Sequence, residues 1–243
     1  DFSDSFPSGD RSVDQGDTLS NAGTITGAVL NNTGLTPPGQ TEADTSSAGV
    51  EIARGDLQKS VYAINGSTTF ATPIEVAPGD TITYRIEYTL PSSDVEALTL
   101  SDYLPLPVFT AAELTTFNPA APSAAAPPAG TAKYGPTDTF SQLPLTPDPT
   151  LSTEAANNLV VFSYGSYDNN SNVPSKVDLL FTVTVSDAPF ADRLYLTNQV
   201  RQTESSTGNV ASFADSIVQI TLTQPILRLS KGVIGSNAPA ATL

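Results

Sequence analysis

Four side chains that carry much of protein chemistry are missing from this sequence: its 243 residues contain no cysteine, histidine, methionine or tryptophan. Without cysteine there is no disulfide, thiolate nucleophile or thiolate metal site. Without histidine there is no imidazole ligand and no Ser-His-Asp or Cys-His catalytic pair. Positive charge is scarce as well, with 10 lysines and arginines against 25 aspartates and glutamates and a formal charge of −15. Such a surface is repelled by nucleic acid and by anionic membranes, which argues against both as partners and favours solubility. No run of about eighteen apolar residues is present that would span a bilayer, and no signal peptide opens the chain. Beginning at Asp1, the sequence reads as a piece of a longer product whose export signal lies elsewhere. The lack of oxidisable side chains, beside abundant Thr, Ser, Asn and Asp, suits an extracellular bacterial or archaeal protein.

Helical periodicity is nearly missing too, and what stands in its place is alternation with a period of two. Ile82, Tyr84, Ile86 and Tyr88 alternate with Thr81, Thr83, Arg85 and Glu87 after a Pro78-Gly79-Asp80 turn, which predicts a strand with one buried and one wet face. Val177, Leu179, Phe181, Val183 and Val185 alternate with Asp178, Thr182 and Thr184, leaving Leu180 as the lone outward apolar residue. Further strands are expected at 56–63, 96–104, 158–164, 194–203 and 216–223. About seven strands make the expected fold all-β, an immunoglobulin-like sandwich, with a closed barrel as the alternative. Between Asn118 and Thr150 eight prolines and many alanines rule out a central strand and predict a long surface loop. Tyr134, Phe140, Leu143 and Leu145 would anchor that loop on a neighbouring subunit or repeat.

The same punctuation recurs twice. Leu19-Ser20-Asn21, Ala43-Asp44-Thr45 and Leu57-Gln58-Lys59 return as Leu196-Thr197-Asn198, Ala214-Asp215-Ser216 and Leu229-Ser230-Lys231. The spacing is 177 residues between the asparagines (21 to 198), 171 between the aspartates (44 to 215) and 172 between the lysines (59 to 231). A tandem array is therefore expected: residues 1–53 as the C-terminal part of one repeat, 54–223 as a complete repeat, and 224–243 as the first strand of the next. Copying a β module multiplies length and valency more usefully than it multiplies a reaction.

Strand parity then picks out three polar residues. Lys59 shares a parity with Leu57 and Val61, Asp102 with Leu98, Leu100 and Leu104, and Asn198 with Leu194, Leu196 and Val200. Asn21 and Lys231 hold the equivalent positions in the neighbouring repeats. An ammonium, a carboxylate and a carboxamide each buried alone would cost several kcal/mol, so their shared inward parity implies that they meet. A buried lysine sheds its proton readily and becomes a nucleophile, and a buried protonated acid could shuttle that proton to departing ammonia. The product would be a Lys59–Asn198 isopeptide bond. A buried Lys-Asp ion pair capped by the amide, or a lysine snorkelling to the sheet edge, fits the same parity.

The run Val76 to Tyr84 (VAPGDTITY), then Leu100 to Pro105 (LSDYLP) and Leu196-Thr197-Asn198, with Leu57 to Val61 (LQKSV) at its opening, resembles the DUF11-type repeat of large bacterial and archaeal surface proteins. The resemblance covers residues 56–104 and 177–220 and leaves out the Ala/Pro-rich loop. It implies an immunoglobulin-like domain on the cell surface or in a secreted fibre and no known enzymatic activity. Some related surface modules carry an isopeptide of this kind.

Other motifs are weaker. Arg54-Gly55-Asp56 matches an integrin-recognition tripeptide at a predicted repeat junction. Asn31, Asn65 and Asn169 head glycosylation sequons that read as polar turns. Asp168, Asn170 and Asn172 offer hard oxygen ligands for calcium, and Asp44, Asp56 and Asp215 fall near the junctions, but no EF-hand spacing is present. Asp94 and Glu96 are the one carboxylate pair that an enzymatic reading would use, in a setting expected to be an exposed loop. The expected function is a structural module of a fibre, sheath, surface layer or adhesin stalk, whose partners are neighbouring copies of itself, assembled covalently or by strand addition. The alternative is an adhesin domain that binds glycan or protein through the 118–150 loop.

Overall fold

The computed structural model describes residues 14–30, 41–205, 212–225 and 229–232. Strands take 54% of the chain, and among the described residues the only helical elements are two 3-10 turns, Ala111–Glu113 and Phe140–Gln142. The strands are β1 (Thr18–Ala28), β2 (Thr41–Glu51), β3 (Asp56–Ile64), β4 (Glu75–Val76), β5 (Thr81–Leu90), β6 (Val95–Tyr103), β7 (Thr116–Asn118), β8 (Thr131–Tyr134), β9 (Thr150–Glu154), β10 (Leu159–Tyr167), β11 (Ser175–Thr184), β12 (Leu194–Ser205) and β13 (Ser212–Leu222).

Two sheets face each other. One runs β4-β13-β12-β6-β10-β9 and the other β3-β5-β11-β8-β7. Their inner faces follow the predicted parity: β3 buries Leu57, Lys59, Val61 and Ala63, and β12 buries Leu196, Asn198, Val200, Gln202 and Glu204. The core is one cluster in which Tyr84, Ile86, Leu98, Leu100, Phe162 and Phe181 are fully enclosed. Burying an aliphatic or aromatic side chain stabilises by roughly 1.5–3 kcal/mol, so this layer holds the fold without a disulfide. This is the expected all-β, immunoglobulin-like sandwich.

The outer face of the second sheet departs from expectation. Leu180 is fully buried, not outward and wet, and Thr83 and Thr182 are nearly so. The Ala/Pro-rich segment folds back on its own module. It supplies β7 and β8, and β8 adds to the sheet through the register Leu180↔Lys133. Residues 123 and 124 then cross the outer face, because Tyr62 on β3 donates to the Ala124 carbonyl at 2.6 Å and Lys133 on β8 donates to the Ser123 carbonyl at 2.8 Å. Thr83 and Thr182 share a hydroxyl bond beneath that crossing. The apolar anchors are thus spent within the module: Tyr134 and Phe140 are in the core, Leu143 packs beside it, and only Leu145 is left in water at 97% exposure. Asp178 fixes the return of the segment. Arg85 donates to its two oxygens at 2.9 and 2.8 Å, and Thr137 donates through N–H and hydroxyl at 2.9 Å each. Burial pushes this acid up, but the Arg85 fork and Thr137 outweigh it and hold it below the usual carboxylate range.

β1 and β2 form a separate antiparallel hairpin, paired over eleven residues as β12 and β13 are. Its residues are almost all exposed, including Ile25 at 73% and Val50 at 63%. The segment before it is buried: Asp14 bridges Asp94, and the Gln15 side chain enters the base of the sandwich. Gly55 lies where the chain passes from this segment into β3. A Cβ there would come within 2.6 Å of both the Thr89 carbonyl and the Tyr88 ring. Gly55→Ala is expected to destabilise the protein by about 1–3 kcal/mol, the usual cost of overpacking, read as a lower denaturant midpoint at unchanged slope. The Arg54-Gly55-Asp56 tripeptide is pinned for the same reason, with the Gly55 amide donating to Gln15 at 2.6 Å.

Candidate functional site

The three residues singled out by parity do come together. Lys59 lies on β3, at the edge of the five-stranded sheet. Asp102 lies on β6 and Asn198 on β12, adjacent strands of the facing sheet, where the register Val200↔Asp102 sets Asn198 on the diagonal of Asp102. The Lys59 ammonium is bonded to Asp102 Oδ2, and both side chains have no solvent exposure. Asn198 is buried as well, at 1%. Aromatic rings wall the cluster, with Lys59 Nζ 4.8 Å from the Tyr84 centroid and 5.1 Å from that of Phe181.

Burial drives the pair toward neutrality from both sides. It lowers the Lys59 pKa, which Asp102 raises in part, and it raises that of Asp102, which Lys59 and Asn198 lower in part. Asp102 Oδ1, both amide atoms of Asn198 and the Tyr84 hydroxyl are all buried without a well-aligned hydrogen bond. The Asn198 amide lowers the pKa of both Asp102 and Tyr84, as a nearby N–H does. A neutral amine, a protonated acid and a carboxamide enclosed together are the reactants of an amide exchange.

Two further residues serve this site that the sequence did not place there. Tyr84 was visible only as one apolar position of an alternating strand. Ser216 accepts a hydrogen bond from the Lys59 backbone N–H at 3.0 Å, tying the free edge of β3 to β13. Asp215, its neighbour in the repeated Ala-Asp-Ser motif, takes a two-point bond from Arg201 at 2.8 and 3.0 Å. In this copy the motif therefore braces the lysine strand through Ser216.

The equivalent residues lie elsewhere. Asn21 is on the exposed β1–β2 hairpin, paired with Ala48, and Lys231 is exposed in the short stretch 229–232, which holds no strand. Residues 224–225 likewise hold no strand, and the remainder of the predicted first strand of a following repeat lies outside the described residues, as does Asn31.

A second buried polar nest occupies the base of the same inner face. Gln15 Nε2 donates to the Tyr88 hydroxyl at 2.5 Å and also to Glu204 Oε2, and Gln202 Nε2 donates to Glu204 Oε2 at 3.2 Å. Burial, helped by the nearby Asp14, pushes the Glu204 carboxyl up to about 8 against the pull of its donors.

Asp168, Asn170 and Asn172 line an open polar cleft of about 430 Å³ with Asp94, Ser92 and Ser93. The Asn170 amide donates to Asp168 at 3.1 Å and Asp94 accepts the Asn169 N–H at 2.8 Å, so these oxygens are engaged locally. No group of three acidic side chains fit to hold a metal ion occurs among the described residues. Asn169, head of one sequon, is 4% exposed and donates to Val173, as befits a polar turn.

The fold and site define a two-layer β-sandwich with a Lys-Asp-Asn cluster spanning its layers. No protein-family model matches the chain and no curated protein matches it in sequence. Among solved structures it is similar to BcpA, the major pilin subunit of Bacillus cereus, at a TM-score of 0.43 and 10% identity over 82% of this chain and 47% of that one. It is also similar to the C-terminal domain of the Streptococcus pyogenes antigen I/II-family protein AspA, at 0.44 and 11% over 76% and 51%. The full-length major pilin SpaD from Corynebacterium diphtheriae gives 0.39 and 16% over 69% and 35%. The chain spans about half the length of the first two and about a third of the last. Among the described residues no helix is long and apolar enough to cross a membrane.

Proposed function

We propose that this chain is a structural module of a repetitive extracellular fibre, sheath, surface layer or adhesin stalk, its sandwich locked by an intramolecular amide between Lys59 and Asn198. The observation that carries this reading is the enclosed cluster itself, an amine, an acid and an amide drawn from opposite layers and shut away from water. Proton transfer from the ammonium to Asp102 leaves a neutral amine and a neutral acid. Lys59 Nζ attacks Asn198 Cγ, Asp102 receives the amine proton and gives one to Nδ2, the Cγ–Nδ2 bond breaks and ammonia departs. The exchange needs no cofactor, and no turnover follows, so the module is not an enzyme.

The position of the bond fits a module under tension. Force entering at β3 and leaving near β13 would pass directly from position 59 to position 198, relieving every strand from β4 to β11. A chain without cysteine has no disulfide to do this.

Three features support tandem repetition. The β1–β2 and β12–β13 hairpins pair over equal lengths. Gly16 and Arg193, each three residues before the first leucine of the repeated Leu-(Ser/Thr)-Asn motif, both take positive φ, at 83° and 60°. The stretch between the paired strands shortens from residues 29–40 to 206–211, the six residues by which the spacing falls from 177 to 171. The DUF11-type resemblance belongs to the same reading, as does placement at a prokaryotic cell surface. Neighbouring copies then meet end to end, by chain continuity or by strand addition at the exposed first hairpin. The adhesin alternative is less favoured, because Tyr134 and Phe140 of the 118–150 segment are spent on the core.

Intact mass decides the covalent part. The purified chain is expected to weigh about 17 Da less than its sequence, the loss of one ammonia, with a peptide joining positions 59 and 198 after digestion. An unshifted mass leaves only the ion pair.

A further inference from the structure

We propose that Tyr84 is a catalytic residue of this bond formation, its hydroxyl donating to Asn198 Oδ1 as negative charge develops there. The inference rests on the Lys59–Asn198 reading and assigns a role that neither Lys59 nor Asp102 fills. Attack on Cγ converts the Asn198 carbonyl into an oxyanion, and a donor aimed at that oxygen in a water-free site is the largest single aid a protein gives to acyl transfer. Asp102 is occupied with protons moving between the two nitrogens.

Tyr84 meets the requirements. It pairs with Val61 of β3 and Phe181 of β11, so its ring lies beneath the lysine, 4.8 Å from Nζ. Phe181 and Phe109 hold the ring, with centroids 5.5 and 6.2 Å away. Its hydroxyl is buried without a settled hydrogen bond, and Asn198 Oδ1, the atom that must gain charge, is buried in the same condition. Burial and the neighbouring Asp102 keep the phenol firmly protonated, so it stays a donor throughout. A phenylalanine would fill the core equally well. A buried hydroxyl without a settled hydrogen bond is a cost to folding that a phenylalanine would not carry.

The test is Tyr84→Phe in the whole chain, made by timed cell-free synthesis and followed by intact mass across pH 6 to 9. Conversion is expected to slow about a hundredfold at every pH, as for loss of one oxyanion donor, and to reach the same product. In a Lys59→Ala background, where no bond forms, Tyr84→Phe is expected to melt no lower than its parent, which separates chemistry from packing. Conversion of Tyr84→Phe at the parental rate overturns the role of Tyr84 and leaves the bond standing. A parent that never loses ammonia overturns both. Marked destabilisation of the Lys59→Ala protein by Tyr84→Phe assigns the hydroxyl to structure and also overturns the proposal.

Discussion

Lys59→Ala is expected to take away most of the stability of the module. Two costs add. Asp102, fully buried, would lose the group at position 59 that it is bonded to, and a buried polar group left unsatisfied costs about 1–3 kcal/mol. The amide would not form, and the link it closes, from 59 to 198, is worth about 5 kcal/mol in chain entropy for a loop of that order. Together they approach the whole stability of an ordinary domain, about 5–15 kcal/mol. Guanidinium unfolding of the parent and the variant measures the sum.

A second variant separates the two costs. Lys59→Met with Asp102→Leu replaces the pair by apolar groups of similar size, and such replacement is generally neutral or stabilising. That double variant is expected to recover the cost of the stranded acid and to remain about 5 kcal/mol below the parent, the share belonging to the covalent link. If it equals the parent, the cluster is an ion pair and the proposed bond is wrong. The comparison matters because an ion pair and an amide would draw on the same three side chains.

How far the sequence reaches this site follows from the range of the signals. Parity is local, so Lys59, Asp102 and Asn198 could each be placed on an inner face from a few neighbours, and burial logic then brought them together. The seven main strands were legible for the same reason. Pairings across long distances left no such trace. β8 is four residues long and sits among prolines and alanines, so nothing local marks it as the strand that covers Leu180. Leu180 and Thr182 therefore read as water-facing in the sequence, although the returning segment covers them. Tyr84 was legible as a buried ring, but its hydroxyl acquires meaning only from Asn198, more than a hundred residues away. Gln15 is further still from Glu204, and a lone glutamine has no period to betray it.

Glu204→Gln is expected to stabilise the protein in mild alkali, although it deletes a charge held by three hydrogen-bonding neighbours. The acid has a folded pKa of about 8 against an ordinary 4.5, because it is 2% exposed and faces Asp14. The sign follows from linkage. Between those values the unfolded chain has released its proton while the folded chain keeps it, so unfolding releases a proton and stability falls as pH rises. The Glu204 contribution is whole below pH 4.5, declines by up to about 1.4 kcal/mol per unit through the window, and is gone above 8. The accumulated loss is on the order of 3–5 kcal/mol. Glutamine carries no proton to lose, yet its amide oxygen still accepts from Gln15 and Gln202. Melting curves of parent and variant are thus expected to coincide at pH 4.5, to separate steadily up to about pH 8 and to stay level apart above it, with the variant higher; parallel curves would refute the buried acid. Glu204→Ala is expected to lose stability at every pH, since it leaves the Gln15 and Gln202 amides without their acceptor. Because Gln15 belongs to the segment that precedes the exposed hairpin, the same ionisation bears on how firmly that hairpin is held to the module. Glu204→Gln is expected to slow proteolysis between residues 17 and 55 at pH 9 and to leave it unchanged at pH 5.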